Sequence, residues 1–247
     1  MKVMLAKKYS DQNPKGWWLS EKLDGVRAVW TGTELQSRNG NVFHAPAWFI
    51  ESLPKGVLLD GELFEGRGEF QKTVGKVRSH NGDWSSIKFM VFDVIIDMGF
   101  EVRAAHLADM ALPKVCQLVN YVKCKSVAHL NEFEAKILKL GGEGVMLRKP
   151  HSAYEHKRSS ALLKVKRFDS GEAKVIGHAA GTGKHMGRLG ALVCQFKDVI
   201  FNVGTGFSDA QRESAPGVGA SITFSFFGLT DGGVPRHPSF VAVRDYE

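Results

Sequence analysis

Cysteine is scarce in this chain, and its histidines form no metal-binding pattern. Cys116, Cys124 and Cys194 are three thiols among 247 residues. Their odd number and wide spacing argue against a disulfide framework and against a zinc–thiolate cluster. The nine histidines include neither an HxH nor an HExxH pattern, so a structural zinc site is not expected either.

Long apolar runs are also missing. No uninterrupted apolar stretch approaches the roughly 20 residues that a membrane-spanning helix needs. Lysines follow Met1 too closely and too often for a secretory leader. We therefore expect a soluble chain with no membrane partner and no leader peptide.

Negative charge is in the minority. Lysine and arginine number 33 against 26 aspartates and glutamates, which gives a net charge of +7. An excess of positive charge favours a polyanionic partner such as nucleic acid, although charge alone is a weak indication. The basic residues concentrate after position 160, at Lys164, Lys166, Arg167, Lys174, Lys184 and Arg188.

The patterning predicts an α+β fold in two domains. Up to residue 168, short apolar strands such as Val57–Leu59 and Phe89–Phe92 alternate with helical stripes, one of them predicted to begin at a capping box at Asn131 and Glu134. From residue 169 onward, five short strands are separated by glycine-rich turns, which indicates a small β-barrel of the OB type. The predicted domains are therefore residues 1–168 and 169–247.

One motif carries a chemical hypothesis. In Glu21-Lys22-Leu23-Asp24-Gly25-Val26-Arg27 an amine, a carboxylate and a guanidinium are spaced to surround one phosphate group. A lysine nucleophile must lose its proton, and neighbouring cations favour that loss. Alone, this short pattern also occurs in ordinary surface turns.

Further polar motifs follow in a fixed order. A cation sits in the turn Ser37–Gly40, two carboxylates at the predicted strand end Leu59–Leu63, and an acid beside an aromatic ring at Phe92–Val94. Glu143 and Arg148 flank an apolar strand. Lys164 and Lys166 lie two residues apart in another strand and so share one face of it.

Taken together, these motifs resemble those of the covalent nucleotidyltransferases and, among them, the ATP-dependent DNA ligases. The resemblance covers nearly the whole chain and is closest in size to minimal proteobacterial and small viral ligases. It includes two stretches similar to signatures of the ligase OB domain, Gly204–Arg212 and Pro235–Arg244, with His237 where phenylalanine is more usual. It implies an adenylation domain of antiparallel sheets with flanking helices, followed by the OB-fold domain.

The resemblance also implies residue roles. Lys22 would attack the α-phosphate of ATP and hold AMP as a phosphoramidate. Glu62 would bind the ribose, Phe92 would stack on adenine, and Asp24 and Glu143 would serve a Mg²⁺ ion, which Mn²⁺ could replace. The residues implied in catalysis are Lys22, Asp24, Lys164 and Lys166. Those implied in nucleotide binding are Glu21, Lys22, Arg27, Arg38, Glu62, Phe92, Glu143, Lys164, Lys166 and Arg236.

For the polynucleotide, the resemblance implies a nicked duplex DNA bound by a monomer. Arg27, Arg38 and Arg158 would hold the nick phosphate or the nucleotide sugar, and Arg236 and Arg244 would act from the OB domain while ATP is loaded. The stretch from His178 to Gly190 is too short for a long DNA-encircling latch. The residues expected to contact DNA are Arg38, Arg158, Lys184, Arg188 and Arg244.

Three alternatives stay open at this point. They are an RNA ligase, a capping-type guanylyltransferase of the same superfamily, and a non-catalytic OB-type nucleic-acid binder. An NAD-dependent ligase is disfavoured, because only 21 residues precede Lys22. The minimal ligases also leave open a periplasmic or a cytoplasmic location.

Overall fold

The computed structural model describes residues 2–10, 12–165 and 169–244. Its internal contacts divide the chain into two compact units, Met1–Lys166 and Arg167–Glu247. The predicted boundary after Phe168 adjoins residues 166–168, which lie outside the described residues, and it stays a prediction. None of the helices in the described ranges has the length and apolar character needed to cross a bilayer.

The first unit contains two five-stranded sheets. Its strands are β1 Leu5–Lys8, β2 Trp18–Glu21, β3 Val26–Trp30, β4 Leu35–Ser37, β5 Leu59–Phe64, β6 Lys88–Val94, β7 Cys116–Leu118, β8 Val122–Lys123, β9 Val145–Arg148 and β10 Arg158–Val165. One sheet has the order β1-β10-β9-β2-β8 and the other the order β4-β3-β5-β6-β7. We call them the first and the second sheet. Most neighbouring strands are antiparallel, as expected, whereas β1–β10 and β6–β7 are parallel.

Large aromatic side chains fill the core behind the second sheet. Trp30, Phe49, Trp84 and Phe89 are each at most 2% exposed and belong to one cluster. Complete burial of such a side chain contributes about 1.5–3 kcal/mol. The second sheet therefore rests on a closely packed apolar core.

Helices flank these sheets, and their bounds are α1 Ala47–Ser52, α2 Phe70–Arg78, α3 Phe100–Ala108 and α4 Val127–Lys139. The predicted start of α4 at Asn131 is wrong. Leu130 is 1% exposed and extends the buried stripe backward, and the Ser126 hydroxyl caps the helix by accepting a hydrogen bond from the His129 amide at 3.1 Å. The predicted helix end at Gly141-Gly142 is confirmed, with Gly141 at a φ of 80°.

The predicted strand Val57–Leu59 is only partly correct. β5 begins at Leu59 and continues to Phe64, so Asp60 and Glu62 lie inside a strand and not at its end. The glycine at position 61 lets β5 pack closely against β6, since a Cβ at Gly61 would lie 2.6 Å from the Met90 carbonyl oxygen on β6. The two carboxylates consequently share one face of the second sheet.

The second unit is an antiparallel sheet of five strands in the order β13-β12-β11-β14-β15. The strands are β11 Asp169–Ala180, β12 Leu189–Phe196, β13 Val199–Val203, β14 Ser221–Phe226 and β15 Ser239–Val243, and a short helix, α5, spans Asp209–Glu213. All five predicted strands are present. The predicted tight hairpin is also present, with Lys197 at a φ of 53° between β12 and β13.

An arginine inside the second unit binds three main-chain carbonyls. Arg212, at the basic end of α5, donates hydrogen bonds to the carbonyl oxygens of Leu189, Gly190 and Gly204 at 2.8–3.0 Å. Ser208 and Gln211 form a reciprocal capping box at the start of this helix. Arg212 was grouped with the OB signature in the sequence, and its contacts indicate a structural role.

Candidate active site

Lys22 lies directly after strand β2, where the first sheet continues its hydrogen bonding for one more residue. The Lys22 amide donates to the Gly144 carbonyl oxygen at 2.9 Å. The Lys22 ammonium forms an ion pair with the Glu143 carboxylate. Side-chain exposures of 24% for Lys22 and 11% for Glu143 leave the amine reachable from the cavity beside it. The structure therefore brings these two predicted residues together across 121 positions of sequence.

Arg27 and Glu62 lie side by side on neighbouring strands of the second sheet. They are register partners on β3 and β5. The Arg27 guanidinium forms two 2.6 Å hydrogen bonds with the Asp60 carboxylate and lies 4.6 Å from the centre of the Phe92 ring. A bidentate pair of this kind fixes the plane of the guanidinium. Phe92 is thus held beside the same group of polar side chains.

Burial shifts the pKa values of two side chains at this site, Glu62 and Lys164. Desolvation raises the pKa of Glu62 to about 7, although the positive charges of Arg27 and Lys22 act in the opposite direction. The pKa of Lys164 is lowered, first by desolvation and then by repulsion from Lys22 and Arg158. Lowered lysine and raised carboxyl pKa values in one cavity are typical of functional sites.

A cavity of about 280 Å³ joins the predicted residues of both sheets. This volume is near the lower end for small-molecule sites. Its walls combine cations, one carboxylate from each sheet and several apolar or aromatic surfaces. The lining includes Glu21, Lys22, Arg27, Arg38, Glu62, Phe92, Tyr121, Met146, Arg148, Arg158 and Lys164.

Two cations at this cavity differ in how firmly they are held. Arg158, the first residue of β10, donates to the Ala6 carbonyl oxygen at 2.5 Å. Arg38 is exposed in the turn after β4 and still lines the cavity. Lys166 lies outside the described residues, so its predicted role stays a prediction.

Neither of the two predicted metal ligands, Asp24 and Glu143, is among the residues that line the cavity. Glu143 adjoins the cavity through its ion pair with Lys22. Within residues 2–10, 12–165 and 169–244, no group of three or more histidine, cysteine or carboxylate side chains could hold a metal ion. A Mg²⁺ ion fits such a sparse donor set only where phosphate and water supply its other ligands, as they usually do for Mg²⁺.

Four residues at or beneath the cavity wall were given no role from the sequence. Asp93 forms ion pairs with both Arg103 and Arg148, at 2.7 Å and 2.9 Å, and all three side chains are at most 4% exposed. Tyr121 donates a hydrogen bond to the Phe92 carbonyl oxygen at 2.7 Å. The only signal in the sequence was a charged residue within each of the apolar segments 89–94 and 145–148.

Two of the four predicted cations of the second unit form ion pairs within that unit. Arg188 pairs with Asp209 at 3.2 Å and with Glu213 at 3.6 Å. Arg244 pairs with Glu172 at 2.7 Å. Lys184 is exposed in a short 3-10 turn, Gly183–His185, and Arg236 is half-buried before β15. Their roles toward ATP or DNA stay predictions.

The fold and the cavity define a covalent nucleotidyltransferase with an OB-type second domain. Residues 3–166 match the family model described as the ATP dependent DNA ligase domain. Residues 180–244 match that of the DNA ligase OB-like domain. The chain belongs to the ATP-dependent DNA ligase family.

Individual relatives agree with this assignment. A DNA ligase of Haemophilus influenzae is 38% identical over 244 residues, which cover 96% of this chain and 90% of the relative. A solved structure from a study of Lig E DNA ligases, which concerned DNA binding with a minimal scaffold, is 41% identical and covers 99% of both chains with a TM-score of 0.94. Chlorella virus DNA ligase-adenylate is 26% identical, covers 100% of this chain and 99% of its own, and has a TM-score of 0.58.

Proposed function

We propose that this ligase joins the 3′-hydroxyl and 5′-phosphate ends of a nick in duplex DNA, with AMP carried on Lys22. The Lys22 amine attacks the α-phosphorus of ATP, a P–N bond forms, and pyrophosphate leaves. An oxygen of the DNA 5′-phosphate then attacks the same phosphorus and releases Lys22. The 3′-hydroxyl finally attacks the activated 5′-phosphate, which forms the phosphodiester and expels AMP. The observation that carries this proposal is the Lys22–Glu143 ion pair beside a cation-lined cavity.

The cavity supplies the charge that phosphoryl transfer needs. Negative charge spreads over the phosphate oxygens in the transition state, and fixed cations stabilise it. We assign this role to Lys164 and Arg158 of β10 and to Arg27 and Arg38 of the second sheet, because all four line the cavity. Phe92 offers an aromatic face for adenine, and Glu62 offers oxygen acceptors for ribose hydroxyls.

Ligation of nicked duplexes tests the proposed reaction. We expect sealing with ATP but not with GTP or NAD, and on a DNA nick more readily than on an all-RNA nick. A preference for RNA ends would instead indicate an RNA ligase. Labelling by GTP would indicate a guanylyltransferase, and the absence of any covalent nucleotide would indicate a nucleic-acid binder.

We further propose that Glu143, together with Asp24 from the Lys22 motif, binds Mg²⁺ or Mn²⁺. The bound ion would neutralise charge on the phosphate oxygens. Glu143→Ala is expected to slow formation of the lysyl-AMP adduct at least about 100-fold, with a much smaller effect on ATP binding, because an ion of this kind acts mainly on the transition state. Single-turnover labelling across a Mg²⁺ titration measures both quantities.

The matched control for this prediction is Glu132→Ala, which removes an exposed carboxylate from α4. We expect that variant to label at the wild-type rate. Undiminished wild-type labelling in excess EDTA would show that no metal ion is required.

Lys184 and Arg188 are proposed to contact DNA phosphates. Each neutralised phosphate makes the logarithm of affinity fall with the logarithm of salt concentration at a slope of about −0.9. The double variant Lys184→Ala/Arg188→Ala is therefore expected to flatten this slope by about one to two units and to weaken nick binding, with Lys22 adenylation nearly unchanged. A salt titration of binding to a nicked duplex provides the measurement.

Arg188 must exchange Asp209 and Glu213 for a phosphate, so Lys184 alone could account for a slope change near one unit. The control is Lys197→Asn, which removes an exposed lysine from the same unit; asparagine tolerates its positive φ. Equal slopes for the double variant and the wild type would show that these residues do not touch DNA.

A further inference from the structure

An ion pair beside the nucleophile involves a residue outside the cavity. The Arg67 guanidinium donates to both oxygens of the Glu21 carboxylate, from Nε at 2.8 Å and from Nη2 at 2.7 Å. Glu21 is 16% exposed at its side chain and Arg67 is 38% exposed. Glu21 immediately precedes Lys22, whereas Arg67 is not among the residues that line the cavity.

The pair joins the two sheets of the first unit. Glu21 ends β2 in the first sheet, and Arg67 lies in the turn that follows β5 of the second sheet. No other ion pair seen in the described part of this unit connects the strand before Lys22 to that turn. It therefore links the end of β2 directly to the turn after β5.

The chain before Glu143 packs against the same pair. A Cβ on Gly142 would lie 2.9 Å from Glu21 Oε1, and one on Gly141 would lie 4.0 Å from the Arg67 Cβ. The Glu21 carboxylate thus occupies the space that a side chain at Gly142 would need. The next residue in each segment, Lys22 and Glu143, forms the reacting ion pair.

Two ion pairs consequently lie side by side. Glu21 and Lys22 are consecutive, and each is held by a partner of opposite charge, Arg67 and Glu143. Without Arg67, the Glu21 carboxylate loses both of the donors that hold it beside Gly142. The planar fork of arginine matches a carboxylate in a way that lysine cannot reproduce.

We propose that Arg67 is a positioning residue for adenylation, which holds Glu21 and thereby sets Lys22 against Glu143. This inference rests on the proposed function, because it concerns the rate at which Lys22 takes up AMP. A displacement of about 1 Å in a reacting group can cost about 100-fold in rate. Arg67 itself does not touch the nucleotide in this proposal, so its loss should slow the chemistry without weakening ATP binding to the same degree.

The experiment measures single-turnover formation of lysyl-AMP over a range of ATP concentrations. It compares the wild type with Arg67→Gln, Glu21→Gln and the double variant. We expect Arg67→Gln to lower the maximal rate by about 10- to 100-fold, with the half-saturating ATP concentration changed less than threefold. In the Glu21→Gln background, the same replacement should have no further effect, since two residues that act as one unit are not additive.

Two further variants guard the interpretation. Lys72→Gln removes an ordinary surface pair with Glu69, whose side chains are 68% and 36% exposed, and it should label at the wild-type rate. Arg67→Lys keeps the positive charge without the fork, and we expect a smaller loss of rate than for Arg67→Gln. It also serves as the test if Arg67→Gln fails to fold.

The outcomes are distinguishable. Wild-type rates for Arg67→Gln and Arg67→Lys would overturn the positioning role while leaving the proposed function intact. A half-saturating ATP concentration that rises in proportion to the loss of rate would overturn it in favour of direct nucleotide contact. A wild-type protein that takes up no AMP would contradict the proposed function itself.

Discussion

Replacing Lys22 with alanine is expected to abolish both the covalent AMP adduct and the sealing of nicks from ATP. Lys22 supplies the nitrogen of the proposed P–N bond, and of the two described lysines that line the cavity it is the one paired with Glu143. Lys22→Arg is expected to fail as well, because a guanidinium stays protonated at neutral pH and is not a nucleophile. Labelling with ATP that carries a marked α-phosphate, followed by peptide mass spectrometry, measures the adduct and its position.

The Lys22→Ala prediction has an internal control in the proposed sequence of steps. Lys22 forms no bond in the last step, so the variant should still join a nick whose 5′-phosphate is already adenylated. The exposed Lys15 provides the matched residue, and Lys15→Ala should label and seal as the wild type does. AMP recovered on a lysine other than Lys22 would refute the assignment.

Residues close together in sequence were the easiest to assign. Lys22 and Arg27 belong to one motif, and the turn between them folds locally. The pairing of Arg27 with Glu62 needs only the register of two adjacent antiparallel strands. Because side chains alternate along a strand, the placement of Asp60 and Glu62 on one face follows once β5 is recognised. The α+β class and the five strands of the OB-type unit were predictable for the same reason.

Partners from distant segments could not be predicted in the same way. Glu21 and Arg67 are 46 positions apart, and nothing in the local pattern of either residue indicates the other. The family resemblance assigned Lys22 and Glu143 to one site, as nucleophile and metal ligand, but their ion pair was not predicted. The start of α4 was misjudged because Asn131 and Glu134 imitate a capping box, while burial of Leu130 extends the helix back to Ser126. Tertiary packing decided that boundary, as it commonly does for helices.

Three buried charges at the cavity, those of Asp93, Arg103 and Arg148, were equally hard to predict from the sequence. Asp93 has 0% side-chain exposure, as does Arg103, and Arg148 has 4%. Arg103 also donates to the carbonyl oxygens of Met98 and Ser152 at 2.5 Å and 2.8 Å. Burial alone lowers the pKa of Arg148, but the negative charge of Asp93 raises it above its ordinary value. One carboxylate therefore pairs with two buried guanidinium groups.

Asp93→Asn is accordingly expected to destabilise the first unit by about 3–5 kcal/mol, the usual cost of leaving a buried charge without its partner. The amide keeps the shape of the side chain and one acceptor oxygen, so the loss reports the missing charge and not a cavity. This unit contains all five tryptophans, Trp17, Trp18, Trp30, Trp48 and Trp84. Urea unfolding followed by tryptophan fluorescence therefore measures the stability of this unit separately.

The control is Asp97→Asn, which changes an exposed carboxylate just after the same strand. It should shift the free energy of unfolding by less than about 0.5 kcal/mol. Because Arg148 lines the cavity that is proposed to bind ATP, Asp93→Asn should also weaken ATP binding under conditions where the protein is folded. An unfolding midpoint equal to that of Asp97→Asn would mean that Arg103 and Arg148 do not depend on Asp93 for their burial.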